Sequence, residues 1–248
     1  MPLARSSSAP IRAVAAAAAV LWLSAPAVQA ARFTPPQGCT ATMTVQMRGC
    51  VVGQYFTCAG DPAGTKHDVL FDSDGPFFAS TVDAEYQWIR SQDYGTGATS
   101  WLEEPSADAA SFSNLLASGE DSYDFATMSD TGERSRYTGV DRLTGRSQTI
   151  DGVVLEVTEF AMTETADDGT QIARRWGSQY VHRDWRLFFS GPETFADDAG
   201  QLPIDNTPVD FVFPGEPGFL STVPLFDCDG LMSRAEPPLM EDPFHDHL

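Results

Sequence analysis

Four cysteines carry the clearest chemistry in this chain. Cys39, Cys50, Cys58 and Cys228 could form two disulfides in an oxidising compartment or hold a metal. Their spacings of 11, 8 and 170 residues contain no paired C-x-x-C knuckle, and His67 is the only histidine near them in sequence. The expectation is disulfides, with no metal site assigned. A hairpin suggests the pairing. Residues 40–47 and 50–57 are strand-like, and a two-residue turn at Arg48-Gly49 opposes residues whose numbers sum to 97, which faces Cys39 with Cys58. Cys50 is then left to bond Cys228.

The four histidines offer little catalysis. His67 and His182 lie in strand-like runs. His182-Arg183-Asp184 copies the start of a kinase catalytic loop, but Phe189 stands where asparagine is needed, and neither a glycine-rich nucleotide loop nor D-F-G accompanies it. There is no G-x-S-x-G elbow, so a hydrolase would need an unmarked nucleophile with His182 or His67 as base. No catalytic residue and no cofactor is assigned. Asp72, Asp74 and Gly75 resemble the start of a calcium loop, but Pro76 and Phe77 occupy its fifth and sixth places, so an acidic turn is the better account. Glu241, Asp242, His245, Asp246 and His247 could capture a transition metal weakly at a terminus. Arg174 and Arg175 are expected on opposite faces of a strand, each answering nearby acids.

Aromatic bulk raises a second possibility. Trp88, Trp101, Trp176 and Trp185, with Phe160, Phe188, Phe189 and Met162, exceed what a thin sheet needs. Where a curved sheet leaves a cleft, Trp88, Trp176, Trp185 and Phe189 are the expected contacts for an apolar ligand. Ordinary core packing is the competing account.

The elements that would position these groups are mostly strands. Residues 82–90 alternate Ala84, Tyr86 and Trp88 with Asp83, Glu85 and Gln87, which predicts a half-buried strand. Residues 106–118 predict one short helix, with Asp108 as cap, Phe112, Leu115 and Leu116 at helical spacing, and Gly119 as stop. Further strands are predicted over 122–128, 135–143, 152–164, 170–181 and 184–189, separated by turn clusters such as Thr144-Gly145 and 166–169. Residues 201–219, with four prolines, read as an extended covering segment. The fold class is therefore mainly β: a single antiparallel meander sheet, half-barrel or sandwich-like, with one short helix.

Organisation and charge frame this domain. Arg5 and Arg12 precede an eleven-residue apolar run at 13–23, and Val28-Gln29-Ala30 offers a cleavage site, so residues 1–30 read as a signal peptide. As a helix that run would span about 16 Å, half of a ~30 Å hydrocarbon core, which argues against a retained anchor. Residues 31–230 form the expected β-rich domain and 231–248 a disordered acidic tail. The formal charge of −20 becomes −22 without a leader that holds two arginines and no acid. Such a surface repels nucleic acid and anionic headgroups.

The run from Arg136-Tyr137-Thr-Gly139 through Asp141-Arg-Leu-Thr-Gly145, Ile150-Asp-Gly152 and Tyr180 to Gly191 resembles an uncharacterised family of secreted bacterial β-rich proteins. The resemblance covers most of the mature chain, including all four cysteines. It implies export into a Gram-negative envelope, periplasmic or secreted, and brings no activity with it. In general plan the chain also looks like the half-barrels of periplasmic lipoprotein carriers, a likeness of architecture from which no binding residue transfers. The expected function is non-enzymatic binding of an apolar ligand or an envelope protein. A structural module without a small-molecule site, and a hydrolase with an unmarked site, are the alternatives.

Overall fold

Strand order dictates the shape of this molecule. A computed structural model describes residues 31–228 and Met240. The expected leader and all of the expected tail except Met240 lie outside the described residues. In chain order the strands are β1 (Cys39–Met47), β2 (Val51–Cys58), β3 (Lys66–Phe71), β4 (Pro76–Val82), β5 (Trp88–Asp93) and β6 (Thr99–Leu102). Helix α1 (Phe112–Ser118) follows. Then come β7 (Glu120–Ser129), β8 (Arg134–Ile150), β9 (Val153–Ala166), β10 (Gln171–His182), β11 (Leu187–Asp197), β12 (Gly200–Asp205) and β13 (Pro208–Val212). All pair antiparallel in one sheet, a meander from β12 back to β1, with β13 added beyond β1. The sheet's two edges are thus β12 and β13, yet only Asn206 and Thr207 join them. Three Cα–Cα steps reach at most about 11 Å, so the edges must come together and the sheet must roll up.

Packing agrees with that geometry. Met43, Val45, Met47, Val51 and Tyr55 from β1 and β2 share a buried cluster with Leu155, Tyr180, Phe189 and Phe211 from β9, β10, β11 and β13. Strands far apart in sheet order therefore meet across the inside of the roll. The convex face of β1 to β3 has its own apolar cluster, Ala41, Val52, Phe56, Val69 and Phe71, covered by Phe33, Phe219 and Leu220. Beside it, fully buried Thr44, Gln46 and Gln54 hold an irregular strap: Gln54 Nε2 donates to Ser221 O at 2.7 Å, Gln46 Nε2 to Val223 O at 3.1 Å, and Leu220 N to Thr44 Oγ1 at 2.8 Å.

Both disulfides form as the hairpin suggested, Cys39 with Cys58 and Cys50 with Cys228. The expected register is corrected. The turn has three residues, so Met47 faces Val51 and opposed numbers sum to 98 along most of the hairpin. A bulge at Thr42 then restores the sum of 97 for Ala41, Thr40 and Cys39. It also places Ala41 and Met43 on opposite faces, one in the convex cluster and one in the interior cluster.

Other boundaries differ for local reasons. The expected strand over 82–90 is broken because the Asp83 carboxylate accepts from Glu85 N and Gln87 N, both at 2.9 Å, and closes a turn in which Tyr86 has φ 67°. β8 does not stop at Thr144-Gly145. It absorbs them as an irregularity between Leu143 and Ser147, with Thr144 Oγ1 bonded to Val157 O at 2.8 Å. The hairpin turns instead at Asp151-Gly152, both with positive φ. α1 is capped by Ser111 rather than Asp108: Ser111 Oγ accepts from Asn114 N, while Asp108 bridges to Asp124. The segment 201–219 supplies β12 and β13, and prolines 203 and 208 fit because both strands are edges. Asp72 closes a turn, accepting from Asp74 N and Gly75 N.

Candidate ligand cavity

The roll encloses a cavity of about 590 Å³, within the ~300–1,000 Å³ range of small-molecule sites. Its walls come from most of the sheet and from α1. Strand alternation decides which side chains point inward. On β7, β8 and β9 the inward pairs are Asp121 opposite Asp141, Tyr123 opposite Gly139 and Phe125 opposite Tyr137, with Phe160, Met162 and Glu164 beyond them on β9. Trp88 packs edge-on against Phe125 and Tyr137, with ring centroids 5.5 and 5.4 Å away. Gly139 is required here. A Cβ on it would lie 2.5 Å from the Tyr123 hydroxyl and 2.6 Å from Ala161 O, so only glycine lets the Tyr123 ring cross β8.

A polar row runs across the other half. Asp68, Ser80, Ser91 and Ser100 are successive register partners on β3 to β6 and all line the cavity. The Ser80 hydroxyl donates to Asp68. α1 closes one side, docked on the turn after β4. The Glu85 carboxylate accepts from Ser113 N at 2.8 Å and Ser111 Oγ at 3.1 Å, while Arg186 donates to it at 2.9 Å and lies over the Phe112 ring. Burial pushes Glu85 up, but those hydrogen bonds and Arg186 outweigh it and hold the carboxyl below its ordinary value.

The cavity is acidic. Seven carboxylates line it: Asp68, Glu85, Asp93, Asp121, Asp141, Glu164 and Glu193. Arg175 is the one basic side chain among the described lining residues, and Glu193 already accepts from its guanidinium. Burial pushes Asp68 up to about 6, against Ser80 and His67, which favour its ionised form. Asp141 is pushed up to about 8, by burial and then by the facing Asp121. The Tyr55 and Tyr123 phenols are raised well above 10, chiefly by burial.

A pH effect follows from Asp141. Between about pH 4 and pH 8 the folded chain keeps a proton on this carboxyl that the unfolded chain releases, so stability falls as pH rises through that window. Asp121 and Tyr123 from β7 and Tyr86 from the turn after β4 are the titratable groups that act on it. Asp141→Asn is expected to flatten the slope and to stabilise the protein at pH 8 by roughly 2 kcal/mol, less than the full span of the shift because the side chain lines a cavity that water can enter. Urea unfolding of both proteins at pH 5 and pH 8 checks this, and an unchanged slope in the variant refutes it.

Of the four expected ligand contacts, Trp88 and Phe189 line the cavity, as do Phe160, Met162 and Phe188. Trp176 lies on the opposite face of the sheet with Val140 and Ala161. Trp185 stacks on His182 at 3.7 Å and joins the interior cluster beside Phe189, Phe211 and Phe213, off the cavity wall. Sequence reasoning missed Tyr55, Tyr86, Tyr123, Phe125, Tyr137, Asp68 and Asp141. Period-two alternation in β7 and β8 was the signal that could have found most of them.

His67 and His182 make local contacts away from the cavity wall. His67 bonds Thr81 Oγ1 at 3.0 Å and Asp61 Oδ2 at 2.6 Å and stacks on Phe56, and none of the three side chains it meets lines the cavity. Ligand atoms of Cys58, Asp61 and His67 lie within 4.8 Å of one another, but the Cys58 sulfur is committed to Cys39. Arg174 and Arg175 do take opposite faces, Arg174 over Trp176 and Arg175 against Glu193. The acidic–histidine cluster at 241–247 lies outside the described residues.

Comparison with protein-family models, curated proteins and solved structures found no match for the chain. Two disulfides point to an oxidising, extracellular environment. Among the described residues no helix is long and apolar enough to cross a membrane.

Proposed function

We propose that the protein is an exported, non-enzymatic binder of an amphiphilic small molecule, held inside the rolled sheet. The observation that carries this is the cavity itself, whose wall is aromatic on β5, β7 and β8 and polar along Asp68, Ser80, Ser91 and Ser100. A wall divided in this way suits a ligand with an apolar body and a polar end. The leader-like residues 1–30 and the two disulfides support a periplasmic or secreted setting.

Native mass spectrometry of exported protein and thermal shift with fatty acids, fatty amines, phospholipids and acylated peptides test the reading. A true ligand at a hundred times its dissociation constant should stabilise the fold by about 2.7 kcal/mol. Phe189→Ala should weaken that binding, since Phe189 is on the wall. A panel that leaves the melting temperature unchanged, with no copurified small molecule, would instead favour an interaction module for an envelope protein.

A further inference from the structure

The inner wall opposes two acids without a base to answer them. Asp121 and Asp141 face each other directly across β7 and β8. Like charges so placed destabilise a sheet unless a proton or a cation intervenes. Asp121 keeps 7% of its surface exposed and accepts from Ser111 N at 2.7 Å and from the Asn114 side chain, neither of which carries a charge. The Asp141 carboxylate has neither a hydrogen bond nor a basic partner among the described residues. A second observation is independent of the acids. Tyr123, one register step along the same face, is 8% exposed, and its hydroxyl has no hydrogen-bond partner among the described residues. A phenol so buried is normally bonded, so its free oxygen on a cavity wall marks a place for a donor.

We propose that the ligand carries a cationic head, an ammonium or guanidinium on an apolar chain, and that this head sits between Asp121 and Asp141 beside the Tyr123 hydroxyl. The head's N–H groups would donate to both carboxylates and to the phenol oxygen. The rings of Tyr86, Tyr123 and Phe125 also line this cavity, and aromatic walls favour a cation over an anion. An anionic head would meet seven carboxylates and one arginine already engaged by Glu193. A neutral head would leave the pair dependent on the proton that Asp141 holds at pH 7, whereas a cationic head releases that proton to solvent and takes its place. The apolar chain then follows the aromatic wall, so this assignment rests on the amphiphile reading above.

Four probes with one chain length separate the two ideas: dodecylamine, dodecyltrimethylammonium, dodecanol and dodecanoate, each at a monomeric concentration, titrated into the full mature protein at pH 7. The expected result is binding of dodecylamine, protonated at pH 7, at least about tenfold tighter than dodecanol, with dodecyltrimethylammonium, which has the charge but no N–H to donate, between them, and dodecanoate weakest. Asp141→Asn should remove most of that preference, bringing the affinities of dodecylamine and dodecanol together. Equal affinities across heads, or a preference for dodecanoate, overturn the cationic assignment and leave the amphiphile reading standing. If no probe binds folded protein, both are overturned. Should Asp141→Asn not fold, the order of the four heads on the wild-type protein decides, and Tyr123→Phe, which keeps the ring, reports on the phenol.

Discussion

Unfolding of the Cys50→Ser, Cys228→Ser double variant should show a loss of about 4 to 5 kcal/mol relative to the wild-type protein under non-oxidising, non-reducing conditions. The bond closes a loop of 178 residues, and in the chain-entropy model the restriction it places on the unfolded chain grows with the logarithm of loop length. The native state loses little in exchange, because the strap keeps its own bonds: Cys50 N to Phe226 O at 2.9 Å, Leu225 N to Gln46 Oε1 at 3.0 Å and Phe33 N to Leu220 O at 2.8 Å. The contrast is Cys39–Cys58, which closes only 19 residues at the open end of a hairpin whose ladder already brings the two cysteines together. Its removal should cost about 3 kcal/mol or less by the same model. Urea unfolding of both variants checks the ranking. A smaller loss for the long loop than for the short one would show that the strap's hydrogen bonds, and not the loop, set the contribution.

If the strap does loosen in that variant, the consequence is specific. Thr44, Gln46 and Gln54 are buried polar side chains on the convex face, and each is satisfied by the strap or by a neighbour that the strap orders. Uncovering them exposes groups that water can solvate, whereas uncovering Phe33, Phe56 and Phe71 exposes an apolar patch. Hydrogen exchange should therefore rise first at the amides of 220–226 and only later within β1 and β2.

Where the fold was legible, and where it was not, follows from how many residues share each signal. The disulfide pairing was readable because two departures cancel: the three-residue turn at Arg48, Gly49 and Cys50 moves the register by one, and the bulge at Thr42 moves it back. Neither departure shows in the alternation of β1, because both faces of β1 are covered and both carry apolar or buried residues. The meander was legible because its turns are rich in glycine and aspartate. β12 and β13 were not, since prolines exclude a central strand but not an edge, and only the sheet order tells which strands are edges. The cavity was half legible. Aromatic surplus announced it, yet tryptophan was the wrong guide. Large rings at odd positions of β7 and β8 face inward, while Trp176, in register with Ala161 and through it Val140, shares their outward face. The three-residue turn at Asp130, Thr131 and Gly132 fixes the β7–β8 register. With it, the Asp121–Asp141 opposition could have been counted from the sequence.

That parity makes the last prediction a discriminating one. Trp176→Ala should cost about 3 to 5 kcal/mol and leave ligand affinity unchanged. The ring is 6% exposed and fills the convex side between Val140, Ala161 and Ala196. Its indole N–H donates to Met240 O at 2.7 Å, and Met240 N in turn donates to Thr194 Oγ1 at 3.0 Å. Truncation therefore leaves a cavity on that face, removes the bond that holds Met240, and takes the Arg174 guanidinium off its aromatic partner. None of this reaches the cavity wall, from which the sheet's own backbone separates it. Phe189→Ala is the counterpart. Phe189 is 1% exposed, belongs to the interior cluster and lines the cavity, so it should lose stability and affinity together. Equilibrium unfolding paired with titration of the tightest-binding probe on both variants separates the two faces. A loss of affinity in Trp176→Ala that matched Phe189→Ala would mean that ligand binding depends on the convex face, and the site would have to be sought there, on the surface that meets Met240.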